Sequence, residues 1–401
     1  MVNLLNGKSI LFGISGSIAA YKAIEVIRLL KKEGASVNVI MTDASRHFIT
    51  PLSVEIASCN NVYSDMFRSP LSHISLTANA DLFIIAPATA NIIGKYANGI
   101  ADDMLSTALL AYRGKVIFVP AMNYRMWENP MVQKNVDYLL SKGVIFIGPE
   151  KGCLACGEEG TGRMADADII MEAIKTVFMK QDLSGQRIVV TAGPTREYLD
   201  PVRYISNRSS GRMGYAIARI AKMRGADVTL ISGPVSLMPP YGVDLIKTET
   251  TEDMYRAVKE HIKDASLFIM SAAVSDYMFS RIEDFKIEKR EKIDIELIKT
   301  KDILKEIGSL KETQYIVGFS AETGNRLDRA RKKLSDKNID MIVFNNVLKE
   351  GSGFDVETNE VVILYKDDKG NINEFPLPLM SKEEVASAMF DKIVELRKKA
   401  L

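Results

Sequence analysis

Short apolar runs rich in Val and Ile recur along the chain, separated by stretches in which apolar positions return at helical spacing. That alternation predicts strand-helix-strand units and therefore parallel sheets. The first run, Ser9 to Phe12, feeds the turn Gly13-Ile14-Ser15-Gly16-Ser17, then a helix to about Lys32 that stops at Gly34, then a strand from Val37 to Met41. Further strands are expected at Leu82 to Ala86, Val116 to Val119 and Val144 to Ile147, and a helix from Asp168 to Lys180. The polar stretch Lys180 to Gly185 marks a boundary and divides the chain into domains at 1–183 and 184–401. A second cycle then starts: a strand at Arg187 to Thr191, a Ser/Gly loop at Ser206 to Gly211, a helix from Met213 to Arg224, and a strand at Val228 to Ile231. Gly34-Ala35-Ser36-Val37 and Gly225-Ala226-Asp227-Val228 fall at the same point of the two cycles. Later strands are expected at Leu267 to Met270, Tyr315 to Phe319, Met341 to Phe344 and Val361 to Tyr365, with an amphipathic helix after Ser381. The pattern predicts an α/β protein of two Rossmann-like parallel-sheet domains, each with a nucleotide-sized site.

Bulk composition narrows the picture. A chain of 401 residues exceeds what one hydrophobic core usually supports. With 47% hydrophobic and 26% charged residues, it has the balance of a soluble globular protein. A net charge of +1 gives no electrostatic reason to expect a nucleic acid partner. No apolar run is long enough for a membrane helix, and the first residues lack a signal peptide's charged start and cleavage site, so the cytoplasm is the expected location. Three cysteines cannot form a disulfide framework, and Cys153 and Cys156 lack the second pair that a zinc site needs.

In open parallel sheets, a Gly/Ser turn between strand and helix offers backbone N–H groups to phosphate. Gly13 to Ser17 fits that role without the G-x-G-x-x-G spacing, which points to a mononucleotide with Ser15 and Ser17 on its phosphate. Ala86-Pro87-Ala88-Thr89-Ala90-Asn91 leaves another strand end with small residues that let a flat ring approach. Pro120-Ala121-Met122-Asn123-Tyr124-Arg125-Met126-Trp127 leaves the next, and Leu154-Ala155-Cys156-Gly157 with Gly160-Thr161-Gly162-Arg163-Met164 forms a glycine-rich flap. Together these segments resemble the motifs of the flavin-dependent cysteine decarboxylases, phosphopantothenoylcysteine decarboxylase in particular. The resemblance implies FMN, bound by Gly13, Ser15, Gly16, Ser17, Thr42, Pro87, Ala88, Thr89, Asn91, Ser106 and Met122. It assigns thiol oxidation to His73, carboxylate recognition to Asn123, final protonation to Cys156, and the substrate clamp to Arg163 and Met164. The chemistry needs a flavin because loss of carbon dioxide from a cysteinyl amide leaves an unstabilised carbanion, whereas prior oxidation of the thiol to a thioaldehyde lets it form an ene-thiolate.

In the second half, Thr191-Ala192-Gly193-Pro194-Thr195-Arg196-Glu197 leaves a strand, and Ile205-Ser206-Asn207-Arg208-Ser209-Ser210-Gly211-Arg212-Met213-Gly214 opens a helix with donors suited to phosphate and to the oxyanion of an acyl phosphate. Ala272-Ala273-Val274-Ser275-Asp276 and Lys286-Ile287-Glu288-Lys289 follow, and Val317 to Thr323 completes a set that resembles phosphopantothenate-cysteine ligases. The resemblance implies CTP and Mg2+. It places Ala272, Asp276, Lys286, Lys289, Lys301, Asp302, Ile303, Leu304, Phe319, Lys333 and Lys337 on substrates, with Asn207 stabilising an acyl-cytidylate. The sequence identifies no metal ligands. Two departures stand out: Lys301 replaces a usual proline and Ser275 a usual alanine, and the first leaves CTP against ATP open.

The two resemblances imply a bifunctional enzyme of coenzyme A synthesis acting on phosphopantothenate, cysteine and CTP. They also imply a homo-oligomer, a dodecamer of decarboxylase trimers with paired ligase domains. The alternatives are another flavin-dependent cysteine decarboxylase, a flavin prenyltransferase, or a non-enzymatic regulatory flavoprotein. The regulator would be expected to lack His73 or Cys156 and to carry an acidic tail.

Overall fold

The computed structural model describes residues 4–67, 71–153, 157–289, 291–324, 326–353, 355–367 and 369–399. Two compact units emerge, Asn3–Met179 and Lys180–Leu401.

The strands of the first unit are β1 (Ser9–Ile14), β2 (Ser36–Met41), β3 (Val62–Tyr63), β4 (Leu82–Ala88), β5 (Val116–Pro120) and β6 (Ile145–Phe146), followed by the pair β7 (Glu150–Cys153) and β8 (Glu159–Arg163). Its helices are α1 (Ala23–Lys32), α2 (Pro51–Ser58), α3 (Ser72–Ala78), α4 (Ala90–Ala97), α5 (Met104–Ala111), α6 (Tyr124–Trp127), α7 (Pro130–Ser141) and α8 (Ala167–Phe178). The sheet order is β3-β2-β1-β4-β5-β6 and its pairings are parallel. Strand side chains alternate between two cores, as a period of two requires. Ile10, Phe12 and Ile84 pack with α1 and α8, while Leu11, Phe83, Ile85 and Phe118 pack with α4, α5 and α7. Burial on both faces explains why these strands read as continuous apolar runs.

The second unit repeats the plan. Its strands are β9 (Arg187–Ala192), β10 (Arg196–Tyr198), β11 (Tyr204–Ser206), β12 (Asp227–Ser232), β13 (Asp244–Lys247), β14 (Leu267–Met270), β15 (Tyr277–Phe279), β16 (Leu297–Lys299), β17 (Tyr315–Glu322), β18 (Met341–Asn346), β19 (Thr358–Lys366) and β20 (Ile372–Ser381). Its helices are α9 (Arg212–Met223), α10 (Thr251–His261), α11 (Ile303–Ser309), α12 (Leu327–Asp336) and α13 (Lys382–Lys399). The main sheet runs β13-β12-β9-β14-β17-β18-β19-β20. Its last two strands are antiparallel, a departure from the all-parallel expectation. No helix among the described residues links β18, β19 and β20, and without a crossover the chain can only turn back. β20 carries Pro376 and Pro378, residues an edge strand tolerates. α10, α11 and α12 share one core with Val189, Phe268 and Ile342, while α9 and α13 pack against each other.

Lys180–Gly185 packs with this second unit. Leu183 is buried, and Asp182 accepts two hydrogen bonds from Arg224, at 2.8 and 2.6 Å. Arg224 is only 1% exposed; it also reaches Asp391 at 2.9 Å and donates to the Ser387 carbonyl at 3.1 Å. One guanidinium thereby joins the polar strip, the end of α9 and α13. Burial acts to raise the Asp182 carboxyl, but Arg224 outweighs it and holds it below its ordinary value. That contribution to stability is present above about pH 4 and is lost as the pH falls through the lowered folded-state value. Arg224→Leu strands two carboxylates beside an apolar group and is expected to cost about 3 kcal/mol, read as a lower urea midpoint at unchanged slope. A cost below about 1 kcal/mol would mean the guanidinium is dispensable.

Candidate functional site

In both sheets the order reverses beside the first strand, between β1 and β4 and between β9 and β14, which opens a crevice outside the carboxyl ends. In the first unit Gly13 lies near the end of β1 and Ser15, Gly16 and Ser17 leave it, Thr42 leaves β2, Pro87 to Asn91 end β4 and open α4, and Met122 and Asn123 leave β5. The Ser15 hydroxyl is buried; it donates to the Pro87 carbonyl at 2.8 Å and accepts from the Thr89 N–H at 3.0 Å, tying two strand ends together. Ser17 caps the following turn and Thr42 caps the turn after β2. A Cβ on Gly16 would lie 2.5 Å from that of Ala44, so only glycine lets these two turns touch. Ser106 is committed to the α5 capping box with Asp103. Lys95 pairs with Asp102 at 2.6 Å and Asp103 at 2.9 Å. Burial works against its charge, but the two carboxylates hold the ammonium above its ordinary value.

His73 sits on α3, half-buried, and its Nδ1 and the neighbouring Ser72 hydroxyl are buried polar atoms with no hydrogen-bond partner. Such atoms are costly unless something else satisfies them. Asn123 caps α6 and accepts from the Arg125 N–H at 2.9 Å. Arg163 bonds Glu150 at 2.5 Å and Asp166 at 3.2 Å, which fixes it between β7 and α8. Met164 is 1% exposed within the core that contains Ile147 and Ala165. Cys156 lies outside the described residues. The orphaned polar atoms and the close-packed glycine turn at the switch point fit a flavin mononucleotide.

The second unit has a cleft of about 900 Å³ that gathers Asn207, Ala272, Asp276, Lys301 to Leu304, Phe319, Lys333 and Lys337. Gly214 makes this possible: a Cβ there would lie 2.5 Å from Ala192 Cβ and 2.9 Å from the Thr191 carbonyl, so the start of α9 can press onto the end of β9. Asn207 donates to the carbonyls of Ala273 and Val274 at 3.1 and 3.0 Å, binding the Ser/Gly loop to the end of β14. Thr195 and Glu197 are buried beneath it, with Thr195 accepting from the Ser275 N–H and Glu197 from Thr251. Ser275 in turn donates to the Tyr277 carbonyl at 2.7 Å. Lys301 pairs with Glu252 at 2.8 Å and lies 4.5 Å from the Tyr255 ring centroid; Glu252 keeps its ammonium above the ordinary value. Lys337 pairs with Asp302 at 2.8 Å, and Lys333 bonds Glu322 at 2.8 Å and Ser320 at 3.0 Å. Lys286 and Lys289 are exposed and do not line this cleft.

Residues 3–179 match the Flavoprotein family and residues 183–396 the DNA/pantothenate metabolism flavoprotein C-terminal domain family. A coenzyme A biosynthesis bifunctional protein CoaBC from Bacillus subtilis is 44% identical over 404 residues, covering 98% of each chain. One from Escherichia coli K12 is 42% identical over 97% of each. The chain belongs to the family of coenzyme A biosynthesis bifunctional proteins. Among solved structures, the C-terminal domain of a CoaBC protein is 40% identical, covering 55% of this chain and all of that one, with a TM-score of 0.47. A mutant PPC decarboxylase complexed with pantothenoylaminoethenethiol is 31% identical, covering 43% of this chain and 99% of that one, with a TM-score of 0.41. As a member of this family the protein is a bifunctional enzyme of coenzyme A biosynthesis, with a flavoprotein decarboxylase half and a ligase half.

In the ligase half the cleft also takes in Arg208 and Arg212 of the donor-rich loop motif, and Asn345, Asn359 and Lys382, which motif reading missed. Asn345, Asn359 and Lys382 come from the antiparallel end of the sheet, where no Gly-rich turn or charged motif announces a site. Among the residues that sequence did single out, Asp302 has two tasks: it caps α11 through the Lys305 N–H at 3.0 Å and holds Lys337. Asp302→Ala is expected to cost about 1 kcal/mol of stability through the lost cap. A thermal melt of Asp302→Ala that matches the unaltered protein would mean the cap is dispensable.

Proposed function

We propose that the second half joins phosphopantothenate to cysteine at the expense of CTP, and that the first half then decarboxylates phosphopantothenoylcysteine to phosphopantetheine with bound FMN. Decarboxylation is assigned to the unit that ends at Met179 and ligation to the unit from Lys180, a few residues before the division at 183/184 expected from sequence. The observation that carries the ligase assignment is the single cleft uniting residues from separate strand ends: Asn207 beyond β11, Ala272 and Asp276 beyond β14, and Phe319 on β17, with Lys333 on α12.

The carboxylate of phosphopantothenate forms a bond to the α-phosphorus of CTP as pyrophosphate leaves. The cysteine nitrogen then attacks the acyl carbon, CMP departs, and the ammonium proton passes to solvent. Lys301, Lys333 and Lys337 supply positive charge for the triphosphate, with Mg2+ screening the remainder. Each is already paired with a carboxylate, so nucleotide phosphates exchange for protein carboxylates at little rearrangement. Asn207, held against β14, faces the cleft where the acyl-cytidylate would form. CTP should support pyrophosphate release that requires phosphopantothenate; faster turnover with ATP would overturn the base assignment.

In the first half, bound FMN supplies the two-electron oxidation and re-reduction that make loss of carbon dioxide feasible. His73 Nδ1, buried and without a partner, is free to hold a proton beside the substrate. Asn123 orients the carboxylate, Arg163 and Met164 brace the glycine-rich hairpin, and Cys156 returns the last proton. Cys156→Ser is expected to be yellow as isolated, then to release carbon dioxide without phosphopantetheine while its flavin bleaches, because the two electrons taken from the thiol are not returned. Normal product release by that variant would refute the thiol's role.

No described helix is long and apolar enough to cross a membrane. Exposed Leu52, Ile56 and Phe67 supply apolar surface of the kind that the proposed decarboxylase trimers would cover.

A further inference from the structure

The ligase cleft contains a buried cation for which the nucleotide chemistry has no use. Lys382 opens α13 at 5% exposure and lines the cleft beside Arg212, Gly353 and Asn359. Its ammonium donates to three backbone carbonyls, those of Gly353 at 3.1 Å, Val356, and Thr358 at 3.2 Å. An ammonium has three protons, and here all three are committed to the strip of chain that leads into β19.

That strip shapes the cleft wall. The Gly353 N–H donates to Asn359 Oδ1 at 3.2 Å, and Asn345 Nδ2 donates to the same oxygen at 3.2 Å. Asn359 Nδ2 reaches Met213 Sδ on α9 at 3.8 Å. Glu357 pairs with Arg212, the first residue of α9, and Asp355 with Arg208 at 3.6 Å. The backbone that Lys382 holds therefore carries the carboxylates paired with both cleft arginines. α9 and α13 pack together, whereas Lys333 lies on α12 and Lys337 ends it, in the separate core with α10 and α11. Lys382 thus acts on a different wall of the cleft from the nucleotide lysines.

Resting on the ligase reading, we propose that Lys382 is a positioning residue for phosphopantothenate: by gathering the carbonyls of Gly353, Val356 and Thr358 it sets Arg212 and Asn359 against this anionic substrate, and it leaves the nucleotide wall untouched.

Burial, reinforced by Arg212 on α9 and opposed by Asp355, brings the Lys382 ammonium down to about 8. Above that pH a neutral amine has two protons for three carbonyls, and the strip loosens. The phosphate monoester is already fully ionised there, its second ionisation falling near pH 6, so a change in affinity across pH 8 reports the protein and not the ligand.

The test is calorimetric titration of the full chain with phosphopantothenate and, separately, with CTP. In Lys382→Met the phosphopantothenate Kd should rise about tenfold, the effect of stranding buried carbonyls next to the site, while the CTP Kd stays within about twofold. In the unaltered protein, phosphopantothenate affinity should fall between pH 7 and pH 9 while CTP affinity holds. This second measurement needs no variant and stands if Lys382→Met does not fold. Equal losses for both ligands, no loss for either, or a flat pH profile for phosphopantothenate would overturn the positioning role. An unaltered protein that neither binds phosphopantothenate nor releases pyrophosphate with it would sink the ligase reading and this inference together.

Discussion

A parallel sheet leaves its useful ends on one side. Every strand-to-helix turn that carries polar atoms emerges at the carboxyl edge, and where the strand order reverses, the neighbouring helices depart to opposite faces and leave a crevice. Both units place that reversal beside their first strand. The sites are then built by bringing backbone close enough to close the edges of the crevice. Gly16 against Ala44 does this in the first unit, and Gly214 against Ala192 and Thr191 in the second. A methyl group at either position would push apart the elements whose N–H groups and side chains form the site. The remaining polar apparatus depends on those two approaches.

Once the crevice is closed, side-chain hydrogen bonds to backbone fix its walls. Ser15 joins the ends of β1 and β4 as Asn207 joins the loop after β11 to the end of β14. The same task falls to different side chains because the first unit has a buried hydroxyl at the crossing and the second a longer, exposed amide. The ligase cleft adds pre-arranged charge. Lys301, Lys333 and Lys337 each hold a carboxylate, which keeps them ordered without a nucleotide. Burial acts to raise the Glu322 carboxyl, but Lys333, Ser320 and Arg329 together hold it below its ordinary value. Lys301 makes an ion pair to Glu252 and places its cation over the Tyr255 ring. The loop into α11 is braced from its side chain.

The regular elements were legible because strands buried on both faces must be continuously apolar and their helices must be amphipathic. The runs around Ile10, Ile84, Val190 and Ile342 announce themselves on those grounds. The pair β7 and β8 was not, since glycine-rich strands with half-exposed faces carry no period. β20 was hidden by its prolines. Of the expected site residues, Met164 turned out to pack in the core, and Lys286 and Lys289 stand outside the cleft.

The sequence by itself determined two α/β cycles, the turns that open their first helices, and the family whose motifs those turns carry. Each of these is a local matter of periodicity and of residues adjacent in the chain. Only the tertiary structure decided that Ser15 and Ser106 are spent on internal hydrogen bonds, that Arg224 fastens Asp182 to α13, and that Lys382 belongs to the ligase cleft. Those facts rest on partners far away in sequence. The hydrogen-bonding duty of a buried polar group is set by whatever the fold places within about 3 Å of it.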